Sequence, residues 1–166
     1  MKKLILMRHA KAVSEDLQTS DYLRSLATRG IEEAQIIGNY LKARHYIPQI
    51  IIASSALRTL QTAEVIGKYI NYETAAIQHS KALYLGTADD IWQVITEIAE
   101  SCETAIVVAH NPTVAEILQP LMKKRKLDIF DFPTLCTGVL TVEGTWQDFT
   151  FENCQMEDYF TPKMVL

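Results

Sequence analysis

The chain has 166 residues, 48% hydrophobic and 22% charged, a length and composition that suit one compact globular domain over residues 1–166 rather than two. A formal net charge of −4 gives no reason to expect a nucleic-acid partner, which requires a concentrated positive face. The single basic run, Lys123-Lys124-Arg125-Lys126, lacks interleaved aromatics and reads as the solvated end of a helix, where cations are favoured.

Met1-Lys2-Lys3 leads into four apolar residues. A secretory signal uses roughly 7–15 and a membrane span about 20, so a cytoplasmic chain is expected, with no membrane partner. Leu4-Ile5-Leu6-Met7 has the continuous apolar character of a strand buried on both faces. Ile31, Ala34, Ile37 (or Gly38) and Leu41 recur at helical spacing, with Thr28 upstream as an N-cap. A second strand, Ile50-Ile51-Ile52-Ala53, follows Pro48, and a helix over 56–69 comes next with Ser54 or Ser55 to cap it. Thr87-Ala88-Asp89-Asp90 has the form of a capping box ahead of Ile91, Val94, Ile95 and Ile98. A third strand covers 105–109. Asn111-Pro112 then opens a helix with an N-cap residue and a proline at the first helical position, and Pro120 is expected to end or kink it near Gln119. The remainder is β-rich, over 138–142 and, after the turn residue Gly144, over 146–151. Strands alternating with helices predict an α/β fold with a mainly parallel central sheet and helices on both faces. The last two runs join it as edge strands for which antiparallel pairing is open.

Each predicted parallel strand ends in residues suited to an anion. The first runs into Arg8-His9, the second into Ser54-Ser55 with Arg58 one turn on, and the third into His110. In an open α/β sheet, ligands bind beyond the carboxyl ends of the strands, where helix N-termini also aim free N–H groups. Arginine offers a charged planar fork matched to phosphate oxygens, and histidine can serve as a neutral nucleophile or a charged donor. A lone histidine after a strand is more often a hydrogen-bonded structural residue, and a lone arginine opposes the dipole in a helix's first turn. Four such residues at three strand ends instead predict one phosphate site, with Arg8-His9 at its core.

Leu6-Met7-Arg8-His9-Ala10-Lys11 resembles the Arg-His-Gly/Ala signature of the histidine phosphatase superfamily, which has the phosphoglycerate mutase-like fold. Ser54-Ser55-Ala56-Leu57-Arg58-Thr59-Leu60-Gln61-Thr62 is similar to its second motif, and Ala109-His110-Asn111-Pro112 to its third. Asp21-Tyr22-Leu23-Arg24-Ser25-Leu26, Phe132-Pro133-Thr134 and Phe160-Thr161-Pro162-Lys163 resemble the small SixA-type phosphohistidine phosphatases. Leu135 stands where that branch often has glycine after Phe-Pro-Thr, which would displace the segment locally. The resemblance implies that His9 attacks phosphorus while Arg8, Arg58 and His110 hold the non-bridging oxygens. The Asn111 backbone joins them as a phosphate contact. Arg24 is placed either to reach the pocket rim or to make a surface ion pair.

No metal or other cofactor is implied, and the residues agree. There is no carboxylate-rich constellation for Mg²⁺ and no Cys/His cluster for zinc. Cys102, Cys136 and Cys154 are widely spaced and read as reduced thiols. Ester-cleaving members resemble one another in carrying an acidic residue after the region matching Leu83-Tyr84-Leu85-Gly86, and this stretch has none. Asp89 and Asp90 come slightly later as candidate general acids, although capping accounts for both. An alkoxide leaving group needs a delivered proton, a contribution of about 10²–10⁴-fold. A phosphorylated imidazole can carry its own proton. The favoured substrate is therefore a phosphohistidine-bearing protein such as a histidine phosphotransfer domain. The alternatives are a broad phosphomonoesterase of the same fold and a non-catalytic phosphohistidine-binding module.

Overall fold

A computed structural model describes residues 1–166. Its strands are β1 (Lys2–Arg8), β2 (Ile50–Ser54), β3 (Gln78–Ser80), β4 (Thr104–Ala109), β5 (Thr137–Val142) and β6 (Gln155–Phe160). Its helices are α1 (Thr28–Ala43), α2 (Leu57–Tyr69), α3 (Ala88–Thr96) and α4 (Thr113–Lys124). One six-stranded sheet runs in the order β3-β2-β4-β1-β5-β6. β1 to β4 pair in parallel, whereas β5 and β6 are antiparallel additions at one edge. No helix is long and apolar enough to cross a membrane.

Alternate residues of the central strands feed opposite cores, as a pleated strand requires. Leu4, Leu6, Ile52 and Val107 pack with Ile91 and Ile95 of α3 and Leu118 and Met122 of α4. Ile5, Met7, Ile51 and Val108 pack with Ala34 and Ile37 of α1 and Ala63 and Ile66 of α2. The continuous apolar runs are thus explained by helices covering both faces. α1 and α2 meet closely at Gly38, where a Cβ would lie 2.8 Å from that of Tyr69.

Several local expectations are corrected. β3 is a short polar strand, Gln-His-Ser, held by pairing to β2 and carrying no apolar signal of its own. Residues 146–151 are not a strand. Trp146–Asp148 is a 3₁₀ turn closed by a Thr145–Asp148 capping box, because the fully buried Trp146 must satisfy its indole N–H, which donates to the Cys102 carbonyl at 2.8 Å. The second antiparallel strand comes later, as β6. Pro120 does not end α4, which continues to Lys124. Its missing N–H costs one bond to the Glu116 carbonyl, but buried Leu118, Leu121 and Met122 hold the helix in place. Thr28 is the first helical residue rather than a cap, and Ile31 faces solvent while Gly30 turns inward. Neither Ser54 nor Ser55 occupies the N-cap of α2, which is Ala56.

Candidate active site

The sheet order makes β2, β4 and β1 neighbours, so their carboxyl ends lie side by side. Arg8 is in register with Ala109, and Ala53 with Val108. Residues distant in sequence therefore converge on one cleft of about 550 Å³ lined by Arg8, His9, Arg24, Arg58, Tyr84, His110 and Asn111, among others. None of its lining residues is Asp or Glu.

His9 follows β1, and its amide donates to the Ala109 carbonyl at 3.0 Å. The residue is 9% exposed, with Nδ1 2.7 Å from the Ala10 carbonyl. A carbonyl only accepts, so Nδ1 carries the proton and Nε2 is left unprotonated. Burial, together with the charges of His110, Arg58 and Arg8, depresses protonation of His9 to about 3, although the Ala10 bond opposes it. His110 lies edge-on to His9, with ring centroids 5.3 Å apart. Burial and the neighbouring Arg58 charge lower its pKa to about 4. Its Nε2 is 2.8 Å from Ser54 Oγ, and its Nδ1 is 3.4 Å from Arg58 Nη2.

The loops around His9 are tied to α2. Thr62 Oγ1 accepts the Ala10 amide at 3.0 Å and donates to the Arg58 carbonyl at 2.7 Å. Gln61 Oε1 accepts the Leu26 amide at 2.7 Å. The Gln-Thr pair of the second motif thus joins two loops rather than reaching the cleft. Gly30 permits the Lys11 carbonyl to approach α1, since a Cβ there would collide with it.

Arg58 is 6% exposed. Its Nη1 donates to the Asp21 carbonyl at 2.8 Å and its Nη2 to Asp21 Oδ2 at 3.1 Å. Arg8 Nη1 donates to the Phe132 carbonyl at 2.9 Å. The same carbonyl accepts from Asn111 Nδ2 at 2.9 Å, while Asn111 Oδ1 accepts the Ala115 amide at 3.2 Å. Asn111 is not the N-cap of α4, which is Pro112, and the helix begins at Thr113. The Nε–H groups of Arg8 and Arg58 are buried without a partner. Both arginines line the cleft, and a guanidinium with an unused donor can bond an anion as a charged planar fork.

Arg24 lines the cleft as well, held by Asp21 Oδ1 at 2.9 and 3.1 Å and by the Val13 carbonyl at 2.8 Å. Asp21 thereby bridges both arginines and accepts the Tyr84 hydroxyl at 2.8 Å. Burial pushes its carboxyl up, but Tyr84, Arg24 and Arg58 more than offset this and hold it at about 2. Ser54 and Asp21 fell within segments singled out in the sequence, but neither they nor Tyr84 were expected to have a role in the site. Asp21 and Tyr84 are 63 positions apart, and only the fold pairs them.

Asp90 accepts the Thr87 amide at 2.7 Å in the capping box of α3. Asp89 lies in a different recess, with Trp92 and Gln93. Leu135 adopts the left-handed φ of 63° that favours glycine. Its segment is not set adrift, because the Leu135 amide bonds the Arg8 and His9 carbonyls, each at 3.1 Å. No three His, Cys, Asp or Glu side chains gather so as to hold a metal ion. Burial raises the Cys136 thiol to about 12 and the Cys154 thiol to about 11, so both stay protonated.

An arginine–histidine pair after the first strand, with a second arginine and histidine at the two neighbouring strand ends, places this chain in the histidine phosphatase superfamily, whose branch 1 model matches residues 4–84. Among its relatives is the uncharacterized protein Rv1276c of Mycobacterium tuberculosis, 30% identical over 86% of this chain and 90% of that one. The phosphohistidine phosphatase SixA of Escherichia coli is 24% identical over 87% and 92% of the two chains. A crystal structure from Agrobacterium tumefaciens that bears the SixA name superposes with a TM-score of 0.80 at 25% identity, covering 97% of this chain and 98% of that one.

Proposed function

We propose that this chain is a phosphohistidine phosphatase, hydrolysing the P–N bond of a phosphorylated histidine on a protein through a covalent intermediate on His9, without a metal. The observation that carries this reading is the cleft itself. Two arginines keep buried, unbonded Nε–H donors beside two imidazoles held neutral, and the carboxylate that bonds the cleft residues Arg24, Arg58 and Tyr84, Asp21, is held ionised by them.

His9 Nε2 attacks phosphorus while Nδ1–H, fixed on the Ala10 carbonyl, keeps the ring in the nucleophilic tautomer. The P–N bond of the substrate breaks with its electron pair left on the ring nitrogen. A substrate ring protonated at its other nitrogen departs as neutral imidazole. Arg8, Arg58 and His110 stabilise the charge spread over the three equatorial oxygens. Arg58 Nη2 can only donate and lies 3.4 Å from His110 Nδ1, so the resting ring carries its proton on Nε2, which donates to Ser54 Oγ. Water then attacks the phosphohistidine, the bonding pair returns to His9 Nε2, and inorganic phosphate leaves as H₂PO₄⁻ with both of the water's protons.

Ester cleavage lacks a positioned acid here, since Asp89 and Asp90 both lie outside the cleft. Rapid-quench labelling with a ³²P-phosphorylated histidine phosphotransfer domain tests the reading. The wild type is expected to give an acid-labile, alkali-stable label on His9. His9→Ala should give none, with turnover lower by roughly 10⁴-fold or more. Label persisting in His9→Ala, or alkyl phosphates turned over faster than phosphohistidine, would overturn it.

A further inference from the structure

The leaving group of an in-line displacement must lie across phosphorus from His9 Nε2. His9 and Arg58 are buried while lining the cleft, so room for a leaving group lies toward its more exposed lining residues. Tyr84 lines the same cleft and, unlike His9 and Arg58, is only half-buried. Its ring packs edge-on to His110 at 5.8 Å and to Tyr22 at 4.9 Å between centroids. Its hydroxyl has one hydrogen bond, donated to Asp21 Oδ2 at 2.8 Å. Asp21 is itself fixed by Arg24 and Arg58. The phenol proton is therefore committed, and the oxygen lone pairs remain available to accept.

We infer that Tyr84, oriented by Asp21, forms the subsite for the departing imidazole of phosphohistidine, its phenol oxygen accepting the N–H on the ring nitrogen remote from phosphorus. This deepens the phosphohistidine reading and rests on it. As the His9 Nε2–phosphorus bond forms and the P–N bond breaks, the pair stays on the ring nitrogen and the remote N–H is retained. The ring passes from cation to neutral, so its bond to Tyr84 is strongest in bound substrate. The aromatic face also favours the cationic form of the ring, the form that needs no proton delivered. Esters offer no such N–H, which makes Tyr84 a determinant of specificity between P–N and P–O substrates.

The test compares kcat and KM on the phosphorylated histidine phosphotransfer domain with those on p-nitrophenyl phosphate. Tyr84→Phe keeps the ring and removes the acceptor. It should raise KM for phosphohistidine roughly tenfold, more than it lowers kcat, and so reduce the ratio of the two kcat/KM values by about the worth of one hydrogen bond. Tyr84→Leu should reduce the ratio further. Asp21→Asn should reduce it in the same direction, and less than additively with Tyr84→Phe. An unchanged ratio in both Tyr84 variants, with wild type active on phosphohistidine, would overturn the inference alone. A wild type inactive on phosphohistidine would overturn the proposed function and this inference with it.

Discussion

His9 shows how one side chain is prepared by what lies behind it. Its backbone carbonyl partner fixes the tautomer, and burial holds the ring neutral, with protonation depressed to about 3. His110 is depressed to about 4 by burial and Arg58. In the unfolded chain both rings take up protons below about pH 6.5. Between that value and the folded ones the unfolded state binds more protons, so their contribution to stability is full above about 6.5 and is lost as pH falls through the window. Urea unfolding at about pH 7 and about pH 4.5 should show this loss, and His110→Asn should make it smaller. An undiminished loss in that variant would mean that His110 titrates normally in the folded protein. The motif at 8–9 was legible at this scale. Asp21 was not, because its importance comes from Arg58 and Tyr84, which other segments supply.

The elements set the angles at which those side chains arrive. α3 begins at the reciprocal Thr87–Asp90 box, with Asp90 Oδ2 also 3.1 Å from the Thr87 hydroxyl. Asp90→Ala should therefore cost about 0.3–1.5 kcal/mol in thermal or urea unfolding, while the ratio of phosphohistidine to aryl phosphate turnover stays unchanged. A selective loss of aryl phosphate turnover would instead mark Asp90 as an acid. Leu135 illustrates a conflict between local and tertiary demands. Its left-handed backbone costs about 1–2 kcal/mol, yet its side chain is fully buried in the α1–α2 core. Packing of a leucine offsets that cost, which no local rule for turns would foresee. Pro120 makes the same point in α4, where buried neighbours override a helix breaker.

The whole molecule behaves as a scaffold that gathers cations and neutral imidazoles about an anion. Arg8 and Arg58 each leave a buried donor unsatisfied, so a phosphate that bonds them should stabilise the fold as well as occupy the site. Inorganic phosphate at about 100 times its Kd should raise stability by about 2.7 kcal/mol, read as an upward shift in Tm. Arg58→Ala should abolish most of that shift. An equal shift in the variant would place phosphate elsewhere.

The sequence by itself determined the alternation of strands and helices, the burial of β1, β2 and β4 on both faces, and the identities at their carboxyl ends. These are local properties, set by apolar periodicity and by which residue follows each run. Only the tertiary structure decided that β2, β4 and β1 are neighbours, and hence that Arg8, His9, Arg58 and His110 share one cleft. It also decided the short polar β3, whose place comes from pairing with β2 rather than from its own residues. The same holds for Asp21 between Arg24, Arg58 and Tyr84. A hydrogen bond between distant segments leaves no periodic trace in either of them, so it becomes visible only when the sheet brings them together.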